Sequence, residues 1–329
     1  MVEKQRLPKS MQYIFGPVAS RRLGRSLGID LIPFKTCTLN CRYCECGPTT
    51  HLTIERRKFG PETQILDEIE YSVTKLQDQI DFITFAGSGE PTLSLSLSSA
   101  IKKIKEISTV PVAMLTNGTL LYRPDVLLDI SSIDVLIPSL DVVNADMFDY
   151  LNRPHPDLCF DQYIEGLKQL RKKYQNTLWL EILLCKGIND SAKDLELMKK
   201  LLQEINPDAI QMNTVFRPGT DPDLKPLSEA ELSTIQRFLG YPESPRPAII
   251  GGIPVQESPE SLPTKRIREI LQRRPSTVDD LANGLQVSLT TVRQVIHRLS
   301  KNESLIATNK NGQIFYSLAG DKNSTHDAV

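Results

Sequence analysis

Three cysteines in one short segment are the residues of this sequence best suited to chemistry. Cys37, Cys41 and Cys44 follow the spacing C-x3-C-x2-C, and Cys46 lies two residues further on. Thiolates hold iron–sulfur clusters, and a compact loop can wrap three corners of a cube of four irons. Three ligands would leave one iron open for a cofactor or substrate, as a catalytic centre requires. The alternative is a structural zinc site with Cys46 as the fourth ligand.

The other cysteines add little to this picture. Cys46 is open to three interpretations, an inert neighbour, an alternative ligand or a thiol facing the substrate, and we favour the first. Cys159 and Cys185 are too scattered to indicate a second cluster. A disulfide framework is not expected in a chain of 329 residues that carries no secretory signal.

A glycine-rich segment is the second candidate. Gly87, Ser88, Gly89 and Glu90 directly follow the apolar run 81–86. Glycines allow the backbone to approach a ligand closely, and Glu90 offers a carboxylate to a cation. The same segment on its own would suggest an ordinary turn, but its place one strand after the cysteine loop favours a functional role.

Polar residues at or within the later apolar runs form the third group of candidate site residues. Asn117, Ser139 and Asp141 stand where two of these runs end. They could bind ribose hydroxyls or a carboxylate, or instead cap the helices that follow. Glu181 and Asn213 lie inside apolar runs, where a polar group is costly unless it is paired or used. We interpret all five as candidates for a cofactor or substrate pocket.

Six apolar runs alternate with amphipathic helical segments and must position these residues. The runs are 26–32, 81–86, 110–116, 134–140, 178–185 and 209–216, and the clearest helical segments are 62–77, 160–174 and 191–205. This alternation indicates a parallel sheet with crossover helices. Six units are too few for a closed eight-stranded barrel, so we predict a partial (β/α)6 barrel over residues 1–240. An open doubly wound sheet is the alternative, and in both folds chemistry gathers at the carboxyl ends of the strands.

A second, smaller unit is predicted after a proline-rich linker or strap at 241–263. Three short helical segments and a two-stranded hairpin over 264–319 match the winged-helix pattern, and 320–329 are expected to be a disordered tail. Residues 261–319 carry nine Lys or Arg and four Asp or Glu, whereas residues 1–260 carry 29 and 34. The helix at 288–303 would bury Leu289, Val292, Val295, Ile296 and Leu299 and expose a polar face. That face could contact nucleic acid or a protein.

The charge and hydropathy of the chain argue against several classes of protein. The net charge of −1 argues against a chain dominated by nucleic-acid or membrane electrostatics. No stretch approaches the roughly 20 apolar residues of a membrane span, and the charged N-terminus does not resemble a signal peptide. We therefore expect a cytoplasmic protein without a membrane partner.

The cysteine loop, its place after the first strand and the aromatic Tyr43 before the third cysteine resemble the radical S-adenosylmethionine (SAM) superfamily. The resemblance implies a [4Fe–4S] cluster on Cys37, Cys41 and Cys44, with SAM bound to the open iron and cleaved reductively to a 5′-deoxyadenosyl radical. It implies that the segment ending in Glu90 holds the amino group of SAM. It also implies an electron donor such as ferredoxin or flavodoxin.

Residues 15–220, beginning FGPVASRRLGRSLGIDLIPFKTCTLNCRYC, resemble one branch most closely, the iron–sulfur oxidoreductases related to tRNA wyosine-base synthases. Archaeal-type wyosine synthases carry further cysteines before this loop, but residues 1–36 contain none, so pyruvate condensation onto tRNA is not implied. We predict a radical SAM enzyme whose substrate is unknown and could be RNA or protein. The alternative is an iron–sulfur redox-sensing DNA-binding regulator.

Overall fold

The computed structural model describes residues 11–20, 23–245, 261–285, 287–302 and 305–318. The strands are β1 Ile14–Ser20, β2 Gly24–Ile29, β3 Thr36–Cys37, β4 His51–Leu52, β5 Phe82–Phe85, β6 Val112–Thr116, β7 Val135–Pro138, β8 Thr177–Leu184, β9 Ala209–Thr214, β10 Leu305–Lys310 and β11 Gln313–Leu318. The helices are α1 Glu62–Leu76, α2 Leu97–Ile107, α3 Pro124–Asp129, α4 Ala145–Met147, α5 Phe160–Lys173, α6 Ala192–Ile205, α7 Glu229–Leu239, α8 Ser261–Arg273, α9 Val278–Leu285 and α10 Leu289–Asn302.

One seven-stranded sheet carries the first part of the chain, in the order β1-β2-β5-β6-β7-β8-β9. From β2 onward all neighbours are parallel and follow chain order, which confirms the six predicted strands and the partial, open barrel. The additional strand β1 lies antiparallel to β2 at the sheet edge. Sequence patterns missed β1 because Gly16-Pro17 interrupts it, and that dipeptide usually signals a turn.

The two faces of the sheet pack against different partners. Alternate strand residues such as Leu136, Leu180 and Ile210 join the large core shared with the crossover helices. The residues between them, including Ile137 and Trp179, form a separate apolar cluster on the opposite face. That face is the interior of the partial barrel, since the helices of a β/α barrel cover its outer face.

The C-terminal unit, residues 261–318, contains α8, α9, α10 and the antiparallel pair β10–β11 in the predicted order. It has its own apolar core. Val292, Val295, Ile296 and Leu299 are buried there as predicted, but Leu289 is 44% exposed because it opens the first turn of α10. Its identity as a winged helix remains a prediction.

The first residues of the predicted linker are hydrogen-bonded to strand β9. The backbone N–H of Ser244 donates to the carbonyl of Ile210 at 3.1 Å, so residues 241–245 continue along β9. The rest of the linker to residue 260, and the predicted tail from 320, lie outside the described residues. None of the described helices is long and apolar enough to cross a membrane.

Candidate active site

The cysteine loop follows β2 at the carboxyl edge of the sheet. Cys37 closes the short strand β3, which pairs with β4 on the far side of the loop. The backbone N–H of Arg42 donates to the carbonyl of Leu151 at 2.9 Å and fixes the middle of the loop against the segment after β7. Cys37, Cys41 and Cys44 are all half-buried. The loop is thus held on both sides.

Each of these three thiols receives an N–H donor from a neighbouring side chain. Lys35 Nζ lies 3.0 Å from the sulfur of Cys44. The side-chain amide of Asn117 lies 3.5 Å from the sulfur of Cys37, and that of Asn152 lies 3.7 Å from the sulfur of Cys41. Donors at these positions suit sulfur atoms that carry negative charge, and hydrogen bonds to ligand sulfurs are one determinant of cluster potential.

The protonation of the free thiols differs across the loop. Burial raises the pKa of Cys37 to about 11 and raises the pKa of Cys41 as well. The neighbouring Cys46 side chain, and then the Lys35 ammonium, hold the pKa of Cys44 below its ordinary value. Because metal ligation requires thiolates, binding of a metal ion or cluster at this loop would release protons from Cys37 and Cys41.

The glycine-rich segment packs directly against the cysteine loop. The backbone N–H of Glu90 donates to the carbonyl of Thr36 at 3.2 Å. A Cβ at Gly89 would come within 2.0 Å of that carbonyl oxygen, so any larger residue would force the two loops apart. A Cβ at Gly87 would likewise collide with the carboxylate of Asp30. The glycines are therefore explained by close approach to neighbouring groups of the protein.

Ser88 also has a protein partner. Its backbone N–H and its hydroxyl both donate to Asp30, at 3.2 and 2.9 Å. Burial raises the pKa of Asp30. Ser88 thus fixes the glycine-rich segment to the end of β2, and its predicted contact with the cofactor remains a prediction.

Glu90 is 2% exposed and connects the ends of three segments. Its Oε1 accepts from the backbone and hydroxyl of Thr92 at 3.1 and 2.6 Å, and from the hydroxyl of Thr116 at 2.6 Å. Its Oε2 accepts from the backbone N–H of Asn117 at 2.8 Å. Burial raises the pKa of Glu90, against the opposing effect of these donors. With one donor among the described residues, Oε2 retains acceptor capacity for a ligand.

Asp141 and Tyr43 join the cysteine loop to β8. The Tyr43 hydroxyl donates to Asp141 Oδ2, and the backbone N–H of Leu183 donates to Oδ1 at 2.8 Å. Asn152 donates to the Tyr43 hydroxyl at 3.0 Å. Burial raises the pKa of Asp141 to about 7, and the nearby Glu181 carboxylate contributes to the shift.

Glu181, Asn213 and Ser139 lie together on the interior face. The amide of Asn213 donates to Glu181 Oε1 at 2.9 Å, and Ser139 pairs in a parallel bridge with Glu181. The expectation that polar residues within apolar strands are paired is therefore met for Glu181 and Asn213. Whether they touch a cofactor remains a prediction.

Several site residues were not singled out from the sequence. Lys35 and Asp30 flank the start of the cysteine loop, and Asn152 belongs to the turn after β7. Asp30 could have been found by the argument used for Glu181, a carboxylate within an apolar run. Nothing local marks Lys35 or Asn152, because their contacts depend on how the loops fold.

Comparison with known proteins bears on this arrangement. Residues 31–202, which run from the cysteine loop just after β2 through most of α6, match the family described as the radical SAM superfamily. The chain belongs to the radical SAM superfamily. It is therefore an enzyme of SAM-dependent radical chemistry, and the alternative of a regulator is not favoured.

Two relatives extend the similarity beyond that segment. The chain is 34% identical over 310 residues to a protein of Brachyspira hyodysenteriae named GTPase Obg. This alignment covers 93% of the chain but only 45% of that protein. It is 31% identical over 319 residues to a UPF0026 protein of Methanocaldococcus jannaschii, covering 93% of this chain and 96% of the relative. A radical SAM methyltransferase from Sphaerobacter thermophilus shares 17% identity with a TM-score of 0.49, over 66% of this chain and 64% of that one.

The donor set suits a multi-iron cluster of the kind that radical SAM proteins carry. Among the described residues, no three Cys, His, Asp or Glu side chains converge on a point where they could hold one metal ion. Four zinc ligands must converge, each about 2.3 Å from the ion if it is a thiolate. Thiolates bound to different irons of a cube need not converge on one point, so this geometry is compatible with a cluster held by Cys37, Cys41 and Cys44.

Cys46 is occupied by a contact with the C-terminal unit. Its thiol donates to the backbone carbonyl of Arg273 at 3.1 Å. The neighbouring Cys44 sulfur, and then burial, raise the pKa of Cys46. These contacts favour the interpretation of Cys46 as a neighbour of the ligands rather than a ligand.

Proposed function

We propose that this radical SAM enzyme holds a [4Fe–4S] cluster through Cys37, Cys41 and Cys44. The observation that carries the proposal is the set of N–H donors, one aimed at each of the three thiols. When bound, such a cluster supplies the electron that breaks a carbon–sulfur bond of SAM and releases a 5′-deoxyadenosyl radical. The remaining tasks, which are binding, orientation and charge compensation, fall to the protein.

Glu90 is proposed to bind the ammonium group of SAM. Its buried carboxylate lies between the glycine-rich segment and the end of β6, and Oε2 has capacity for a second donor. In a buried site a charge-assisted hydrogen bond of this kind contributes about 1.5–3 kcal/mol. Gly87, Ser88 and Gly89 are proposed to shape the backbone around that ligand, and Asn117 and Tyr43 to border it.

The barrel interior is proposed to receive the rest of SAM and the substrate. Ser139, Asp141, Glu181 and Asn213 present polar groups there, between the cysteine loop and the apolar cluster. A ferredoxin or flavodoxin is proposed as the electron donor, since such a protein commonly supplies radical SAM enzymes.

The C-terminal unit is proposed to hold a macromolecular partner of the reaction. The polar face of α10, with Arg293, His297 and Arg298, is exposed as expected for a contact surface. Binding of a nucleic acid to this face should weaken steeply with rising salt, because neutralised phosphates release their counterions.

The decisive experiment is anaerobic reconstitution with iron and sulfide, followed by reduction with dithionite in the presence of SAM. We expect about four irons and four sulfides per chain and the release of 5′-deoxyadenosine. Alanine at Cys37, Cys41 or Cys44 should abolish the cluster-dependent cleavage. Cys159→Ala is the matched control, because that thiol is exposed and is no part of the loop. Stoichiometric zinc without iron in anaerobically purified protein would overturn the proposal.

A further inference from the structure

Three polar side chains form a row across the last three strands of the barrel. Ser139, just after β7, pairs with Glu181 on β8, and Glu181 pairs in register with Gln211 on β9. Residues at paired positions of neighbouring strands point to the same face of a sheet. The three side chains therefore lie side by side.

The row lies on the interior face, one layer above an apolar floor. Two residues earlier on each strand stand Ile137, Trp179 and Ala209, which pack together in the interior apolar cluster. Side chains two residues apart on a strand share a face. The row thus lies between this floor and the cysteine loop at the carboxyl edge.

Gln211 is the unusual member of the row. It is 5% exposed, and within the part of the chain that the structure describes neither its Oε1 nor its Nε2 has a hydrogen-bond partner. The next residue on the same face, Asn213, donates to Glu181 at 2.9 Å. The large majority of buried side-chain polar atoms are paired in proteins, and leaving one unpaired is destabilising. A buried amide with both ends unpaired indicates a place where a ligand supplies the partners.

We infer that Gln211 recognises the substrate, pairing with a neutral group that presents a donor and an acceptor side by side. A carboxamide side chain offers this pattern itself and matches its complement with two hydrogen bonds. Primary carboxamides and nucleobase edges carry that complement. The inference rests on the proposed function, since it places the substrate beneath the SAM site.

The chemistry of the row excludes two other ligand classes. A carboxylate or phosphate only accepts hydrogen bonds, so it would leave Gln211 Oε1 facing an anion, and the neighbouring Glu181 would repel it. A single trans peptide group directs its N–H and C=O to opposite sides and cannot meet both ends of the amide. The ligand group must be uncharged and must present both functions on one edge.

A stability measurement tests the unpaired state directly. Gln211→Met keeps the length of the side chain and removes the amide, so we expect the melting temperature of the full-length protein to rise by about 2–5 °C. Asn213→Leu is the matched control on the same strand and face, and it should lower the melting temperature because it breaks the bond to Glu181. A fall for Gln211→Met like that of the control would show that the amide is paired in the free protein and would overturn the inference.

Ligand binding distinguishes the two sources of the recognised group. Full-length reconstituted protein with SAM is titrated calorimetrically with uridine and with nicotinamide, up to about 20 mM. The controls are 3-methyluridine, whose donor is blocked, and nicotinate, whose carboxamide is replaced by a carboxylate. We expect one probe to bind, its control not to bind, and Gln211→Met to weaken binding by at least about ten-fold.

Equal binding of a probe and its control, or no binding of either probe, would overturn the inference. Iron content and SAM cleavage of the wild-type protein are measured on the same preparation. A wild type that lacks the cluster counts against the proposed function, whereas a cluster-loaded wild type that binds neither probe counts against the role of Gln211 alone.

Discussion

Replacing Glu90 with glutamine changes one oxygen of a carboxylate that accepts four hydrogen bonds. If the new NH2 group takes the Oε2 position, it opposes the N–H of Asn117. If it takes the Oε1 position, the hydroxyls of Thr92 and Thr116 can rotate to accept, but the backbone N–H of Thr92 cannot. One buried donor is left unpaired in either case, so we expect a loss of about 1–3 kcal/mol in the free energy of unfolding.

The same substitution should weaken SAM binding. Losing the charge-assisted bond to the SAM ammonium, about 1.5–3 kcal/mol, corresponds to roughly a 10- to 100-fold rise in Kd. Equilibrium titration of the reconstituted protein with SAM measures this, with iron content determined in parallel. Burial raises the pKa of Glu90, and a neutral carboxyl cannot assist the bond. Wild-type affinity should therefore fall as pH drops through that raised pKa, and the glutamine variant should lack this dependence.

Glu68 provides a matched control. It is 1% exposed on α1, and its carboxylate accepts from the backbone of Gln12 and Tyr13, each at 2.9 Å. Glu68→Gln should lower stability by a similar amount while SAM affinity stays within about two-fold of wild type. A Glu90→Gln protein that keeps its cluster and binds SAM as the wild type does would refute the assignment.

Three further predictions concern charges around the site. Lys35→Met removes a cation 3.0 Å from the sulfur of Cys44, so the reduction potential of the cluster should fall. An unchanged reduction potential in a spectroscopic redox titration would count against the contact. Because burial raises the pKa of Asp141 to about 7, its contribution to stability should be lost as pH rises from about 4 through 7. Asp141→Asn should remove that slope in denaturation curves, and parallel curves would contradict it. Arg217 and Asp280 lie 3.5 Å apart, and Asp280 is about one-third exposed. A double-mutant cycle with Arg217→Met and Asp280→Asn should therefore give a coupling free energy of about 0.5–1 kcal/mol in unfolding experiments. Zero coupling would contradict this contact.

The sequence predicted the six parallel strands well because each is an apolar run bounded by residues that end strands. The partial barrel follows from their number and from the helices between them. β1 could not be found in this way, since its pairing with β2 includes a register shift between Phe15 and Val18. The local sequence pattern does not predict an edge strand that forms only by pairing with a neighbouring strand.

The site was predictable in its positions but less so in its contacts. Spacing singled out the three cysteines, and polarity within apolar runs singled out Glu181 and Asn213, which are paired with each other. The same reasoning could not show that Ser88 would bind Asp30. Such contacts join loops that are distant in sequence, and only the packing of the strands brings them together.

The contacts of the C-terminal unit show why the cysteine loop and that unit must be treated together. Arg273 at the end of α8 accepts from Cys46 through its carbonyl, and its guanidinium lies 3.7 Å from Asp30. Asp30 in turn accepts from Ser88, so α8 is connected to both loops of the site. A chain shortened before α8 would retain all six parallel strands, yet it would leave the buried Asp30 without this cation and Cys46 without its acceptor. Loss of activity in such a chain would therefore reflect a disturbed cysteine loop as well as a missing partner surface. Measuring its iron content and its SAM cleavage without any substrate separates the two causes.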